Sequence, residues 1–181
     1  MNGCLRFAVP LMNFFKIWLV VFVFGFFVSA AFAEEEVLEA EVEDITLCNA
    51  QEDIYFSCPL SGGKIVSVCA LGNTNPNSGY VQYRYGVPEK IELVYPQSKI
   101  PPKGRFYVVN ASEGSVSLNI IKFYNGKYTY LVSQAYRSFL TVLKSGELAV
   151  RKSCERGGYS VINRMALKGI ESLPKSAEDF K

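Results

Sequence analysis

Ile120-Ile121-Lys122-Phe123-Tyr124-Asn125-Gly126-Lys127-Tyr128-Thr129-Tyr130-Leu131-Val132 is a pair of β-branched and aromatic runs meeting at Asn-Gly. Strands favour such side chains because they pack well on a pleated, half-buried surface. Asn-Gly accepts the positive φ that a type I′ turn demands at both central positions, and that turn matches the twist of paired strands. The stretch predicts an antiparallel hairpin with a two-residue type I′ loop at Asn125-Gly126.

The same grammar repeats on either side. Strand-like runs occupy residues 54–58, 64–69, 80–85, 91–95, 106–110, 116–124, 127–132, 138–143 and 147–153. Pro59 with Ser61-Gly62-Gly63, Gly86-Val87-Pro88-Glu89 and Lys144-Ser145-Gly146 punctuate them as turns. Residues 72–79 and 97–103 carry little to bury and read as loops. Asn110-Ala111-Ser112 has the form of a glycosylation sequon and reads here as a turn between strands. Val161, Ala166 and Ile170 recur among polar residues, which predicts a short amphipathic helix over residues 160–173, with Ser160 as N-cap and Pro174 beyond its end. Eight to nine short strands at hairpin spacing predict an all-β, mainly antiparallel fold. A small meander barrel or a sandwich with one short C-terminal helix is the expected closure.

The N-terminus is of another kind. Arg6 and Lys16 precede an apolar run over residues 17–27, small residues follow, and Ala31-Phe32-Ala33 stands directly before Glu34-Glu35-Glu36. A positive start, an apolar stretch and an A-x-A site make residues 1–33 a secretory signal peptide. An uncleaved anchor is the rival, and the length of residues 17–33, against roughly 20 apolar residues for a span, does not exclude it. The A-x-A site and the abrupt acidic switch after it favour cleavage. Cleavage leaves no stable membrane insertion. Residues 34–44 hold an acid at most positions and read as a flexible acidic leader; residues 45–181 form a single β-rich domain.

Of the 19 basic and 17 acidic residues, residues 1–33 hold two basic and none acidic, so the exported chain is charge-balanced. It lacks the electrostatic footprint of a nucleic-acid binder. The chain contains no histidine, so Ser-His-Asp, Cys-His and His-ligated metal chemistries cannot be assembled. No cofactor is expected. Cys48, Cys58, Cys69 and Cys154 remain after cleavage, and an even number in an exported chain predicts two disulfides. We favour Cys58–Cys154 with Cys48–Cys69; Cys58 and Cys69 flank a tight turn, and their direct pairing stays open. With no histidine and no C-x-x-C pair, zinc is the lesser reading.

Residues 80–96 hold the candidate binding residues. Strand alternation puts Tyr80, Gln82 and Arg84 on one face and Val81, Tyr83 and Tyr85 on the other. A three-residue loop at 87–89 sets Arg84 opposite Glu92. That arrangement reads either as a cross-strand ion pair beside an aromatic core or as a binding surface, since Tyr and Arg anchor interfaces. The candidates are Tyr80, Gln82, Arg84 and Glu92.

Ser57-Cys58, residues 64–69, Gln82-Tyr83-Arg84-Tyr85-Gly86, Glu92 and Pro96 resemble a family of small exported proteobacterial proteins, a family to which no activity is attached. That resemblance implies export to the periplasm of a Gram-negative cell. In architecture the chain is also similar to the periplasmic inhibitors of c-type lysozyme, small β-barrels with a disulfide from an early strand to the last. Their S-G-x-x-Y loop is not reproduced by Ser78-Gly79-Tyr80-Val81-Gln82-Tyr83, so no inhibitory residue carries over. The expected function is non-enzymatic recognition of a protein partner in the cell envelope, of inhibitor type. The alternatives are an immunity protein against a periplasmic toxin, a glycan hydrolase using a carboxylate pair, and a membrane-anchored structural envelope protein.

Overall fold

The computed structural model describes residues 45–155 and 160–181; the signal-peptide and acidic-leader readings lie outside the described residues. Ten strands form, nine of them where the sequence pattern puts them: β1 (Asp53–Leu60), β2 (Lys64–Leu71), β3 (Tyr80–Val87), β4 (Lys90–Tyr95), β5 (Phe106–Asn110), β6 (Asn119–Asn125), β7 (Tyr128–Gln134), β8 (Phe139–Lys144), β9 (Glu147–Ser153) and β10 (Glu171–Leu173). They make two sheets, β1-β2-β3-β4 and β10-β5-β6-β7-β8-β9. All pairings are antiparallel except β10 with β5. The all-β expectation holds in its sandwich form, with no closed barrel. At one corner the sheets touch: Leu60 bridges Cys154, and the Glu155 N–H donates to the Pro59 carbonyl at 2.8 Å.

The core lies between the sheets. Phe56, Cys58, Val66, Val68, Val81 and Tyr83 from the smaller sheet meet Phe106, Ile121, Phe123, Val132 and Leu140 from the larger. Period-two alternation delivers these inward, so the intervening side chains of β3 and β6 point to the outer faces. Neither outer face is left bare. Over the smaller sheet the segment before β1 is held by Ser57 Oγ on the Ile45 carbonyl, by the Leu47 N–H on Ser67 Oγ and by the Cys48–Cys69 disulfide. Over the larger sheet Val109, Ile120, Leu131 and Leu143 form a second cluster against which Leu173 packs.

Two local expectations are corrected. The β6–β7 turn is centred on Gly126-Lys127, since Asn125 pairs with Tyr128. Gly126 has φ 61°, while Asn125 and Lys127 are not among the residues with positive φ. That is the pattern of a type II′ loop, not type I′. The double-positive geometry occurs instead at Ser145 and Gly146, φ 52° and 83°, between β8 and β9.

The predicted 160–173 helix shrinks to α1 (Ala166–Gly169). Val161 is exposed and Ile162 is buried in its place. Asn163 is spent on β1, its N–H on the Tyr55 carbonyl at 2.8 Å and its side-chain amide on that of Ile54 at 3.2 Å. Ser160 caps nothing; its carbonyl accepts from Ser138 Oγ at 2.6 Å. Residues 171–173 pair with the open edge of β5, an alternative that a helical count along the chain does not contain. A 3-10 turn, Ala177–Phe180, follows.

Gly86 sets the register that matters most for the candidate site. Pairing slips between Tyr85 and Gly86, so that Arg84 faces Val94 and Gly86 faces Ile91. Its φ is 150°, and a Cβ there would stand 2.4 Å from the Lys90 carbonyl oxygen. Gly86→Ala should therefore lose roughly 1–3 kcal/mol from backbone strain alone, read as a lower denaturant midpoint. An unchanged midpoint would remove the bulge from this account.

Candidate functional site

Arg84 does not sit opposite Glu92. Val87 pairs with Lys90, so the expected three-residue loop at 87–89 is a two-residue turn, and the slip at Gly86 adds a second step that carries Arg84 to Val94. Tyr80, Gln82 and Arg84 share a face, as alternation requires, but that face is covered and all three are buried. The partner of Arg84 is Glu52, from the turn just before β1. Arg84 Nη1 and Nη2 donate to Glu52 Oε2 and Oε1, each at 2.6 Å. Nη1 also reaches the Leu47 carbonyl at 2.8 Å, and Nη2 the Gln82 Oε1 at 2.9 Å. The Tyr80 hydroxyl donates to Glu52 Oε1 at 2.6 Å and the Asn49 N–H to Oε2 at 2.7 Å. Gln82 Nε2 donates to the Pro96 carbonyl at 2.9 Å, and Lys99 Nζ stands 5.0 Å from the centre of the Tyr80 ring.

Burial pushes the Glu52 carboxyl up, but hydrogen bonds from Arg84, Tyr80 and the Asn49 amide, with the Arg84 charge, outweigh it and hold it below its ordinary value. Burial, and then the bond to Glu52, raise Tyr80. The structure thus gathers three of the four candidates into one buried network. Glu92 stands apart, ion-paired with Lys64 at the surface. Sequence reasoning missed Glu52. An ion pair across 32 residues has no local signature, although an acid lying next to a strand start and near a cysteine could have been weighed.

A second buried cation repeats the arrangement on the larger sheet. Lys122, on the outer face of β6, is 3 % exposed. It donates to Asp179 Oδ1 at 2.8 Å and pairs with Glu178. Ser176 and Asp179 close a reciprocal capping box that presents the carboxylate. Burial lowers Lys122, but the two carboxylates outweigh it and raise it above its ordinary value. Each outer face is pinned to a terminal segment through one buried cation.

The cysteines pair as Cys48–Cys69 and Cys58–Cys154, with Cα separations of 5.4 and 5.5 Å. Cys48, Glu52 and Cys69 lie close enough to share an ion, but both sulfurs are bonded to each other and offer no thiolate. The disulfides are compatible with an extracellular setting. Among the described residues no helix is long and apolar enough to cross a membrane.

A cavity of about 280 Å³ opens between the sheets, walled by Tyr83, Tyr85, Tyr128 and Tyr130 with apolar side chains between them, and with Lys152 of β9 at its margin. Burial lifts the Tyr83 and Tyr130 phenols above their usual range, so both remain protonated donors. No carboxylate is among its lining residues. Comparison of the chain with protein-family models, curated proteins and solved structures finds no match.

Proposed function

We propose that this is an exported, non-enzymatic binding protein of the periplasm that recognises a protein partner in the cell envelope, in the manner of an inhibitor. One observation carries the reading: the deeply buried charged groups are spent on internal pairs. Glu52 is consumed by Arg84, and Lys122 by Glu178 and Asp179. An acid or base catalyst needs a group tuned by burial yet open to substrate, and these are closed off. What the fold does present is β9, the outermost strand of the larger sheet, with Leu148 and Val150 exposed. A strand with one free backbone edge and apolar side chains accepts an extended segment of another protein by strand addition.

The test is capture from envelope extract in parallel for the protein and for Leu148→Asp, alongside an assay of cell-wall glycan turnover. Recovery of one stoichiometric partner, lost with Leu148→Asp and unaccompanied by turnover, is the expected result. Glycan turnover without a stoichiometric partner would instead favour the carboxylate hydrolase and sink the proposal.

A further inference from the structure

Recognition through β9 leaves the tyrosine-walled cavity unused. None of the hydroxyls of Tyr83, Tyr85, Tyr128 and Tyr130 has a hydrogen-bond partner among the described residues, although Tyr83 is 1 % exposed. No side-chain polar atom sealed from solvent is left unpaired among the described residues, so the Tyr83 hydroxyl opens into the cavity. Lys152 Nζ has only the Ser61 carbonyl, at 3.3 Å, as a partner among the described residues.

We propose that the cavity binds a small aromatic acid: one planar ring carrying oxygen substituents and a single carboxylate. Three features select that class. Tyr95, Phe123 and Tyr130 form a stack, with centroids 4.7 and 4.6 Å apart and planes 14° and 3° from parallel. Tyr130 at its end belongs to the cavity wall, with the Tyr83 and Tyr128 rings tilted against it at 5.6 and 6.5 Å, so a ligand ring there meets aromatic surface. The free phenol donors require acceptors, because a buried polar group left unpaired opposes binding. A plain acyl chain supplies none along its length; a ring with oxygen substituents does. Lys152 supplies the positive charge for the carboxylate, with no acidic side chain in the wall to compete. The size suits a single ring, since about 280 Å³ lies just below the roughly 300–1,000 Å³ typical of small-molecule sites. The cavity shares Val150 and Lys152 with the β9 edge, but Leu148 is not part of its wall, so Leu148→Asp and Lys152→Met test the two readings separately.

The test is calorimetric titration of the protein with 4-hydroxycinnamate, its neutral amide and octanoate, with tyrosine ring shifts followed by NMR. The acid should bind, and the amide and octanoate should bind at least about tenfold more weakly, the equivalent of one charge-assisted hydrogen bond. Lys152→Met should remove about that tenfold advantage for the acid and leave the amide unchanged. Tyr83→Phe should weaken the acid several-fold without lowering thermal stability, since its hydroxyl has no protein partner to lose. A purely structural tyrosine would not show that split. Absence of heat and ring shifts up to millimolar acid would overturn the proposal. So would octanoate binding as tightly as the acid, or either variant binding like the parent.

Discussion

Replacing Arg84 by methionine should cost about 3–5 kcal/mol, the usual penalty for stranding one charge of a buried ion pair. Domains of this size hold only about 5–15 kcal/mol in total, so the variant should unfold at much lower denaturant. Its pH dependence should also shift. In the native protein the Glu52 carboxyl lies below its ordinary value. Its contribution is therefore present above the unfolded carboxyl value of about 4.3, and it is lost as pH falls through the lower folded value. Without the guanidinium two of the lowering influences are lost, while the bonds from Tyr80 and the Asn49 amide stay, so the carboxyl titrates higher than in the native protein. Stability of the variant relative to the native protein should then rise on acidification from neutrality. Adding Glu52→Gln should recover part of the loss, because no charge is then stranded. A single variant within about 1 kcal/mol of the parent would mean that the pair does not hold the segment over the smaller sheet.

Removing the Cys58–Cys154 bridge should be as damaging. It spans 96 residues, whereas Cys48–Cys69 spans 21. In the chain-entropy account the longer bridge stabilises by about 4.7 kcal/mol and the shorter by about 3.4. The longer bridge also ties the corner where Leu60 meets Cys154, the place where two separate sheets would otherwise part. Paired alanine variants, compared by urea unfolding, should rank in that order. Greater damage from losing Cys48–Cys69 would contradict both the loop argument and the importance of that corner.

Much of the sandwich was legible because strand signals are local. Residues 54–58, 64–69 and 80–85 show β-branched and aromatic content with turn residues at their ends, and the strands there run only a residue or two further. The alternation of Tyr80, Gln82 and Arg84 against Val81 and Tyr83 was legible for the same reason. What failed depends on contacts distant in sequence. Arg84 lost Glu92 through a shorter turn and a slip at one glycine, and gained Glu52 from the segment over the sheet. A period-two pattern reports which face a residue takes, not what later covers that face. Residues 171–173 follow the open edge of β5, and no helix count anticipates a vacant edge elsewhere. The Asn-Gly turn slid by one residue because a single positive φ at Gly126 suffices there.

The cavity was the least legible feature. Tyr83 and Tyr85 were assigned correctly to one face, but Tyr128, Tyr130 and Lys152 reach the same space from the other sheet. Only the packing of the sheets reveals that they meet.

The functional account rests on buried charges being spent on the fold, and the most direct test is the titration of Glu52 itself, followed by carboxyl-carbon NMR in the native protein. A midpoint below that of an ordinary glutamate, moving upward in Arg84→Met, is the result predicted by the Arg84–Glu52 pair. A native midpoint at or above the ordinary value would contradict the pair, and one raised towards neutrality would return this buried network to the list of catalytic sites.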